Sequence, residues 1–291
     1  APAQAPALTA RPGGRIVRRP CGRGRARMPP QPMSRFLKRL AARILGRSGP
    51  APPATDPTDV FLVSYPRSGS TWVRFLLANL RRAGGDEPVD FHALGAESPD
   101  LEVPEHAPLM AAAPRPRLLK THALPRPACR RVIYVLRDGR DVMVSQYHYE
   151  QGLGRFDGTL LAFLQAGTPA RWAGHVTAWL DAAADRDLLL VRYEDLLADA
   201  AAGLRRLPAF AGLPAPAAHV AWAVEQSSFV ALRRLQQTRG RPRNAVPGFE
   251  HVRRGTRGQW QDAFTAACRR SFLAGAGAAL RRCGYAGNDG C

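Results

Sequence analysis

The sequence predicts an α/β fold, in which a single domain holds a central parallel β-sheet flanked by helices. From Asp59 onward, short apolar runs of strand length alternate with longer stretches of helical periodicity. Each run is followed by polar residues, and ligands of parallel sheets bind beyond the carboxyl ends of the strands. The 45% hydrophobic content suffices for a core, and no apolar run is long enough to span a membrane.

Four apolar runs are the predicted strands, and each has the length of a strand that is buried on both faces. In chain order they are VFLVSY (60–65), RLLKTH (117–122), RVIYVL (131–136) and LLLVRY (188–193). Helices are predicted over about 71–82, 140–150 and 194–206. This alternation predicts parallel strands joined by helical crossovers on both faces of the sheet.

Composition divides the chain into four predicted segments. Residues 1–33 are rich in Arg, Pro, Gly and Ala without apolar periodicity, which predicts a disordered basic tail. Residues 34–57 are predicted to hold an amphipathic helix (34–47) and a Pro-rich linker. The folded domain is expected over 58–286, with a C-terminal tail over 287–291.

The net charge of +19 is unevenly distributed. Residues 1–50 carry eleven Arg, one Lys and no acid, so they supply +12, and the other 241 residues supply +7. A moderately basic domain suits an anionic cofactor and does not require nucleic acid, which we do not expect as a partner. The basic amphipathic stretch 34–47 is compatible with peripheral contact to an anionic membrane surface and, alternatively, with a lead-in helix that packs on the domain or frays. A nucleic-acid or membrane-surface binding protein is one alternative interpretation.

The cysteines and the N-terminal composition predict a cytoplasmic protein. Five cysteines form no CxxC pair, which argues against a disulfide framework or a zinc site and favours a reducing compartment. Residues 1–33 contain no apolar stretch typical of a signal peptide. The Arg- and Ala-rich composition favours a bacterial origin. A membrane contact through 34–47 would place the protein at the inner membrane face.

The segment YPRSGSTW (65–72) joins the first strand to a helix and has the properties of a phosphate cradle. Gly69 permits a tight turn and a close backbone approach to an anion. Ser70 and Thr71 add hydroxyls to the free N–H groups at a helix N-terminus. A Walker A loop would place a Lys before its Ser/Thr, whereas the cation here, Arg67, precedes the Gly. A magnesium-dependent nucleotidase therefore fits this loop poorly, and a P-loop small-molecule kinase is kept as the second alternative.

This loop resembles the phosphosulfate loop of the PAPS-dependent sulfotransferases of the cytosolic and bacterial type, which reads much like PKSGTTW. The resemblance implies a P-loop nucleoside-triphosphate-hydrolase-like sulfotransferase fold and the cofactor 3′-phosphoadenylyl sulfate (PAPS), with PAP as product and no metal. Five more motifs of the family follow in order, and a closing RRCGY stretch ends at Tyr285.

The first of these motifs supplies the predicted catalytic residues. LLKTH (118–122) matches the KTH strand end of the family. The match implies that His122 deprotonates the acceptor, which suits an imidazole at neutral pH. It also implies that Lys120 and Arg67 stabilise charge on the transferring group and the leaving phosphate.

Two motifs resemble those that bind the 3′-phosphate of the cofactor. VLRDGRDVMVS (135–145) contains an Arg and a Ser eight residues apart, and HVRRGTRGQW (251–260) resembles RKGxxGDW. Guanidinium groups bind phosphate through charge-assisted hydrogen bonds. The implied phosphate ligands are Arg137, Ser145, Arg253, Arg254 and Gly255.

The remaining motifs resemble the adenine site. In VRYEDL (191–196), Tyr193 is implied to approach the adenine, whereas Glu194 and Asp195 are interpreted as structural residues at a helix start. In SSF (227–229), Phe229 is implied to stack on the base opposite Trp72. The implied cofactor-binding residues outside the 3′-phosphate set are Arg67, Ser68, Gly69, Ser70, Thr71, Trp72, Tyr193, Ser227 and Phe229.

The chain departs from the family pattern at three positions. Arg67 replaces the usual Lys, Ser70 replaces Thr, and Gln259 replaces Asp. The dimer motif of the animal cytosolic members is not evident after Phe264, so the oligomeric state stays open.

The sequence thus predicts transfer of a sulfuryl group from PAPS to an acceptor hydroxyl by in-line displacement. The acceptor is expected to be bound by segments 84–116 and 146–178, and phenols, alcohols, carbohydrates and lipid headgroups are all compatible. The candidate aromatic and imidazole contacts are Phe91, His92, Tyr147, His148, Tyr149, Phe156 and Trp172.

Overall fold

The computed structural model describes residues 55–85, 87–239 and 255–285. Its described part contains one four-stranded parallel sheet in the order β2-β1-β3-β4. The strands are β1 (Val60–Ser64), β2 (Leu118–Thr121), β3 (Arg131–Leu136) and β4 (Asp187–Arg192). The predicted α/β class and all four predicted strands are confirmed, with ends that differ by at most one residue.

Helices cover both faces of the sheet, and a few short ones connect them. The helices are α1 (Ser70–Arg82), α2 (Leu94–Glu97), α3 (Ala107–Ala112), α4 (Gly139–Gly152), α5 (Leu160–Gln165), α6 (Thr168–Asp181), α7 (Tyr193–Ala198), α8 (Ala200–Ala211), α9 (Ala217–Gln226), α10 (Phe229–Thr238), α11 (Trp260–Ala263) and α12 (Ala266–Arg282). Two 3-10 turns span Pro104–His106 and Ala182–Asp185.

Strand β1 is buried on both faces, because successive side chains of a strand point to opposite sides of the sheet. Val60 and Leu62 pack into a cluster with residues of α1, α7, α8 and α9. Phe61 and Val63 pack into a second cluster with residues of α4, α5, α6, α11 and α12. This two-sided burial explains why the strand sequences are continuous apolar runs rather than alternating patterns.

The register of the strands brings their carboxyl ends to one edge of the sheet. Val63 of β1 is aligned with Thr121 of β2, and Ser64 with Val135 of β3. The phosphate loop leaves β1 between these neighbours, where α1 begins on one face and α4 lies on the other. The crevice at such a point is where open α/β sheets bind ligands.

The helix predicted over 194–206 is two helices. Helix α7 ends before Asp199, whose backbone is extended (φ −149, ψ 90). The Asp199 carboxylate accepts a hydrogen bond from the Ala202 amide at 2.8 Å, so it caps the start of α8. The helical periodicity continues across this break, and the capping residue is the signal that separates the two helices.

Several predictions fall outside the described residues. They are the basic tail over 1–33, the amphipathic helix over 34–47, the C-terminal tail over 287–291, and the phosphate ligands Arg253 and Arg254. Within the described ranges, none of the helices has the length and apolar character needed to cross a bilayer.

Candidate functional site

A cavity of about 880 Å³ opens at the carboxyl edge of the sheet. Twelve of the sequence-predicted site residues line it: Arg67, Gly69, Ser70, Thr71, Trp72, Lys120, His122, Arg137, Ser145, Tyr193, Phe229 and Gly255. Ser68 and Ser227 do not line the cavity and are almost completely buried. Six motifs that are distant in sequence therefore converge on one space.

The phosphate loop has an irregular backbone held against an aromatic ring. Gly69 has φ 101 and Arg67 has φ 69, both in the left-handed region. A Cβ atom on Gly69 would lie 2.5 Å from Cδ2 of Tyr193, so glycine is required by conformation and by space. The loop thereby presents the N-terminus of α1, with Ser70 and Thr71, to the cavity.

Arg67 is held across the cavity floor by α4. Its Nε donates to the Ser145 hydroxyl at 3.3 Å. Its guanidinium carbon lies 4.7 Å from the centre of the Tyr149 ring, a cation–π contact. The phosphate-loop cation is therefore linked to the predicted 3′-phosphate residue Ser145 before any ligand binds.

Arg137 is the best-positioned anion ligand of the described site. It is buried, and its two terminal nitrogens donate to backbone carbonyls of Arg67 (3.3 Å) and Thr256 (3.0 Å). The guanidinium packs 4.4 Å from the centre of the Tyr193 ring. Its Nε has no hydrogen-bond partner among the described residues. A buried charged donor with an unused N–H group is what an anion-binding site requires.

The turn after residue 254 is fixed to the cavity by Asp141. Its carboxylate accepts hydrogen bonds from the backbone amides of Gly258 (2.7 Å) and Trp260 (3.0 Å). Gly255 has φ 61, and a Cβ there would lie 2.8 Å from Cδ2 of Phe229. The acid of the 135–145 motif thus fixes the described part of the 251–260 motif, and Gly255 lies close to the Phe229 ring.

The predicted adenine contacts lie together on the opposite wall. The Trp72 indole donates to the Ser227 carbonyl at 2.9 Å and meets the Tyr193 ring edge-on, with ring centres 5.7 Å apart. The Ser227 hydroxyl accepts a hydrogen bond from Asn79 at 3.0 Å, away from the cavity. Ser227 therefore positions Trp72 through its backbone, while Phe229 lines the cavity directly.

His122 is held in a defined tautomer. Its Nδ1 lies 2.6 Å from the carbonyl oxygen of Ser64 at the end of β1. A carbonyl only accepts hydrogen bonds, so the proton of the neutral ring is on Nδ1 and the lone pair is on Nε2. The ring lines the cavity and is 5% exposed. The hydrogen bond from Nδ1 therefore leaves Nε2 as the nitrogen that can accept a proton, which is the arrangement expected of a general base.

The backbone around His122 is anchored by helix α6. His175 Nε2 lies 3.0 Å from the His122 carbonyl oxygen, and the Trp179 indole donates to the Ala123 carbonyl at 3.0 Å. The other ring nitrogen of His175 lies 3.0 Å from the Tyr134 hydroxyl. Burial lowers the pKa of His175 to about 4, so the ring is neutral at neutral pH.

Lys120 is clamped between two carboxylates. Its Nζ lies 2.9 Å from Asp100 and 2.9 Å from Glu102. Glu102 also accepts hydrogen bonds from the Thr121 hydroxyl (2.6 Å) and from the His122 amide (2.7 Å). The two acids thereby fix the whole KTH strand end.

The two acids differ in their affinity for a proton. Burial opposes ionisation of both, but the Lys120 charge holds the pKa of Asp100 well below its usual range. Burial raises the pKa of Glu102, and the neighbouring Asp100 charge adds to this effect. The Lys120 ammonium group thus pairs with two different carboxylates. Asp100 is firmly ionised, and Glu102 binds a proton more tightly.

Glu194 has the structural contacts that the sequence predicts. Its carboxylate accepts hydrogen bonds from the Asp138 amide (3.0 Å) and from the Tyr285 hydroxyl (2.7 Å). It therefore ties the 3′-phosphate motif to the closing RRCGY stretch. Asp195 lies in the first turn of α7, where an acid is favoured by the helix dipole.

The predicted acceptor contacts divide into two groups. Phe91, His92 and Tyr149 line the cavity. Tyr147 and Phe156 pack against Phe163, and Trp172 is completely buried in the core. The last prediction of this kind, His148, does not line the cavity either. Aromatic content alone did not distinguish core residues from cavity residues.

Five residues that line the cavity or support His122 have no signal in the sequence motifs. Asp100 and Glu102 lie 20 and 18 residues before Lys120, in a stretch without recognised pattern. Gln146 and Glu150 lie on α4 beyond the 3′-phosphate motif, and His175 lies on α6. The one available signal is for Asp100 and Glu102, because two acids before the only lysine of the folded domain suggest a pairing. Over the described ranges there is no cluster of three or more metal-ligating side chains.

Comparison with known proteins identifies the family of this chain. The family model of the sulfotransferase domain matches residues 57–284. Sulfotransferase 1A1 of Bos taurus is 29% identical over 245 residues, covering 75% of this chain and 82% of the relative. Sulfotransferase 2A6 of Rattus norvegicus is 26% identical over 235 residues, covering 74% and 81%.

Solved structures show the same fold. The mouse sulfotransferase SULT7A1 complexed with PAP aligns with a TM-score of 0.62 at 21% identity, over 84% of this chain and 91% of that one. Retinol dehydratase in complex with androsterone and inactive cofactor PAP aligns with a TM-score of 0.63 at 22% identity, over 84% and 85%.

Proposed function

Because the chain belongs to the sulfotransferase family, we propose that it transfers the sulfuryl group of PAPS to an acceptor hydroxyl, with His122 as the general base. The observation that carries this proposal is the convergence of the phosphate loop, Arg137, Gly255 and His122 on one cavity. Two of the structural relatives have PAP bound, which supports PAPS as the donor for this chain.

The residues present fit that cofactor. The turn at Gly69 leaves no room for a side chain and places the N–H groups of α1 at the cavity, which suits a phosphosulfate. Arg137, with its unpaired Nε, and Ser145 suit a second phosphate. Trp72, Tyr193 and Phe229 supply aromatic surface for a base. Arg253 and Arg254 remain proposed ligands from the sequence alone.

When bound, PAPS supplies an activated sulfuryl group. His122 accepts the acceptor proton on Nε2, because Nδ1 already donates to the Ser64 carbonyl. Three contacts keep the ring and its backbone in place: the Ser64 carbonyl, the Glu102 carboxylate and His175. The products are a sulfate ester and adenosine 3′,5′-bisphosphate (PAP).

Arg67 and Lys120 are proposed to stabilise negative charge next to the base. Arg67 stands at the phosphate loop, and Lys120 stands two residues before His122 with its charge balanced by Asp100 and Glu102. This balance lowers the cost of keeping a buried ammonium group. It also means that Lys120 acts within a cluster and not as an isolated cation.

The proposal also covers the cellular location of the protein and the chemical class of its acceptor. Cys129, Cys268 and Cys283 are buried free thiols, which supports a reducing, cytoplasmic environment. The Arg- and Ala-rich composition supports a bacterial origin. Small hydroxyl compounds are the proposed acceptors, and peripheral membrane contact through 34–47 remains a proposal from the sequence.

Calorimetric titration tests the donor assignment. PAP should bind tightly without magnesium, and ATP and AMP should bind more weakly because they lack the 3′-phosphate. Replacing Arg137 by Ala should weaken PAP by about tenfold to a hundredfold, the value of one charge-assisted hydrogen bond. Arg205→Ala, an exposed position on α8, is the matched control and should leave PAP affinity unchanged. A preference for ATP with magnesium would replace the sulfotransferase proposal by the kinase alternative.

A further inference from the structure

Three histidines line the cavity, and the backbone fixes the tautomer of two of them. In His122, Nδ1 donates to the Ser64 carbonyl, so Nε2 is the nitrogen that accepts. His92 is exposed. The remaining ring, that of His106, is half-buried at the end of the 3-10 turn Pro104–His106 and has no part in the proposed reaction.

His106 has the opposite tautomer to His122. The backbone amide of Asp100 donates to its Nδ1 at 2.9 Å. An amide N–H only donates, so Nδ1 carries the lone pair and the proton of the neutral ring is on Nε2. Burial, together with the nearby Arg74 charge, lowers the pKa of His106, so the ring is neutral at neutral pH. The Nε2–H group of His106 is therefore a neutral hydrogen-bond donor.

This donor is available to a ligand. Within the described ranges, the hydrogen bond at Nδ1 is the one that His106 forms, and Nε2 is accessible to solvent. The Nε2 edge of the ring lies against Gly95 of α2, which also lines the cavity, and a Cβ atom there would lie 2.8 Å from Nε2. Glycine is disfavoured within a helix, so the space that the imidazole needs explains its presence in α2.

Strand pairing sets the separation of His106 and His122. Asp100, whose amide holds His106, is paired with Lys120 of β2, and the Lys120 amide donates to the Pro99 carbonyl at 2.8 Å. His122 follows two residues after Lys120. Paired strands lie about 4.8 Å apart and a strand rises about 3.3 Å per residue, so the two histidines are held on the order of 10 Å apart. One small molecule can therefore reach both rings.

Apolar side chains line the same part of the cavity. They are Phe91, Leu94, Val103 and Leu109. Apolar surface provides affinity with little directional preference, whereas a few placed polar groups fix the orientation of a ligand. The two histidines supply such groups, one as a hydrogen-bond acceptor and the other as a donor.

We infer that His106 selects acceptors that carry a second oxygen able to accept a hydrogen bond, such as a ketone or ester carbonyl, at the end opposite the hydroxyl. The hydroxyl donates to Nε2 of His122, and the second oxygen accepts from Nε2 of His106. This inference rests on the proposed sulfotransferase function, which assigns the hydroxyl to His122. The opposite tautomers of the two rings thus decide which end of the acceptor faces the phosphate loop. His106 is a specificity residue and transfers no proton.

Matched pairs of compounds test the inference. The ketone 4-(4-hydroxyphenyl)-2-butanone is compared with 4-butylphenol, and 7-hydroxy-2-heptanone is compared with 1-heptanol. Calorimetry on the full chain measures the Kd of each compound with and without saturating PAP. The ketone preference is the Kd of the alkyl compound divided by the Kd of the ketone. Loss of one neutral hydrogen bond should lower this preference by about threefold to tenfold in at least one pair.

Two variants remove the donor in different ways. His106→Asn loses Nε2 but keeps an oxygen that can accept from the Asp100 amide, and it should show the full loss of preference. Gly95→Ala places a methyl group against Nε2, suits a helix, and should lower the preference in the same direction. His219→Asn, at a half-buried position on α9 outside the cavity, is the matched control and should keep the preference within about twofold.

An unchanged preference for both pairs in His106→Asn would overturn the inference, and Gly95→Ala decides in the same way if His106→Asn does not fold. Failure of both ketones to bind the parent chain would also overturn it. Failure of the proposed function has a different signature, because PAP would not bind and PAPS would not be consumed. The ketone preference is also measured without PAP, so the two failures are distinguishable.

Discussion

Two ends of the cavity are built by different means: a donor end formed by loop 66–72, Arg137, Ser145 and Gly255, and an acceptor end formed by residues 91–109 and Tyr149. The donor end depends mainly on backbone: a left-handed glycine, the N-terminus of α1, and the Arg137 guanidinium, which is fixed by carbonyl oxygens. The acceptor end uses side chains, above all carboxylates placed by a short bridge of Asp100 to β2 and by one face of α4. A site formed by the backbone is suited to one shape of anion. A site formed by side chains can be altered by substitution, so its ligand can differ between related proteins.

His122 lies where the two ends meet. Its replacement should have the largest effect on turnover and little effect on PAP binding. We expect His122→Ala to lower kcat by about 10²–10⁴-fold, the usual contribution of a general base. The Kd of PAP should change by less than about threefold, because the donor end does not include the ring. Single-turnover kinetics and calorimetry on the same preparation measure the two quantities.

The contrary outcome for His122→Ala is as informative. Equal losses of turnover and of PAP binding would show that His122 holds the cavity together, and the base assignment would be rejected. A melting temperature close to that of the parent protein is the control for folding.

The same contrast explains how much of the site was predictable. The turn at Gly69 and the spacing of Arg137 and Ser145 are local requirements, so a short motif records them. The clamp on Lys120 depends on where Asp100 and Glu102 lie relative to β2. A 3-10 turn and the short helix α3 separate these acids from the strand in sequence, so tertiary packing decides their placement. The helix break at Asp199 is a local feature that the sequence analysis missed. The helical periodicity continues through it, and only the cap formed by Asp199 marks the break.

The four strands were predictable because each is a continuous apolar run; β1 and β2 are buried throughout, β3 is buried beyond Arg131, and β4 is mostly half-buried. Trp172 shows the limit of that reasoning. It was a candidate acceptor contact as an aromatic residue in a plausible segment, yet it lies fully buried against Phe272. Composition identifies aromatic residues, and only packing decides whether they face the core or the cavity.

His175 supports the backbone of His122, so its protonation in mild acid should lower the stability of the folded protein. The pKa of His175 is lowered by burial from 6.5 to about 4 in the folded state. Between these values the unfolded chain binds more protons, so the free energy of unfolding falls as pH drops from about 6.5 to about 4. The loss from this one group is about 3 kcal/mol, complete near pH 4 and absent above pH 7.

Denaturant melts across this pH range test the assignment to His175. His175→Gln keeps an amide donor for the His122 carbonyl and does not titrate, so its stability should vary less steeply between pH 6.5 and 4. A slope identical to that of the parent protein would mean that other groups control acid unfolding.

Arg67→Lys should have the smallest effect and tests how closely the donor end depends on side-chain shape. Lysine keeps the charge at the phosphate loop but loses the Nε bond to Ser145 and the planar contact with Tyr149. A cation–π contact of this kind is worth about 0.5–1 kcal/mol, so kcat/KM for PAPS should fall by about twofold to fivefold. Arg67→Gln, which removes the charge, should cost clearly more. Equal losses in the two variants would show that the guanidinium fork matters more than its charge, and the donor end would then depend on side-chain geometry as strongly as the acceptor end does.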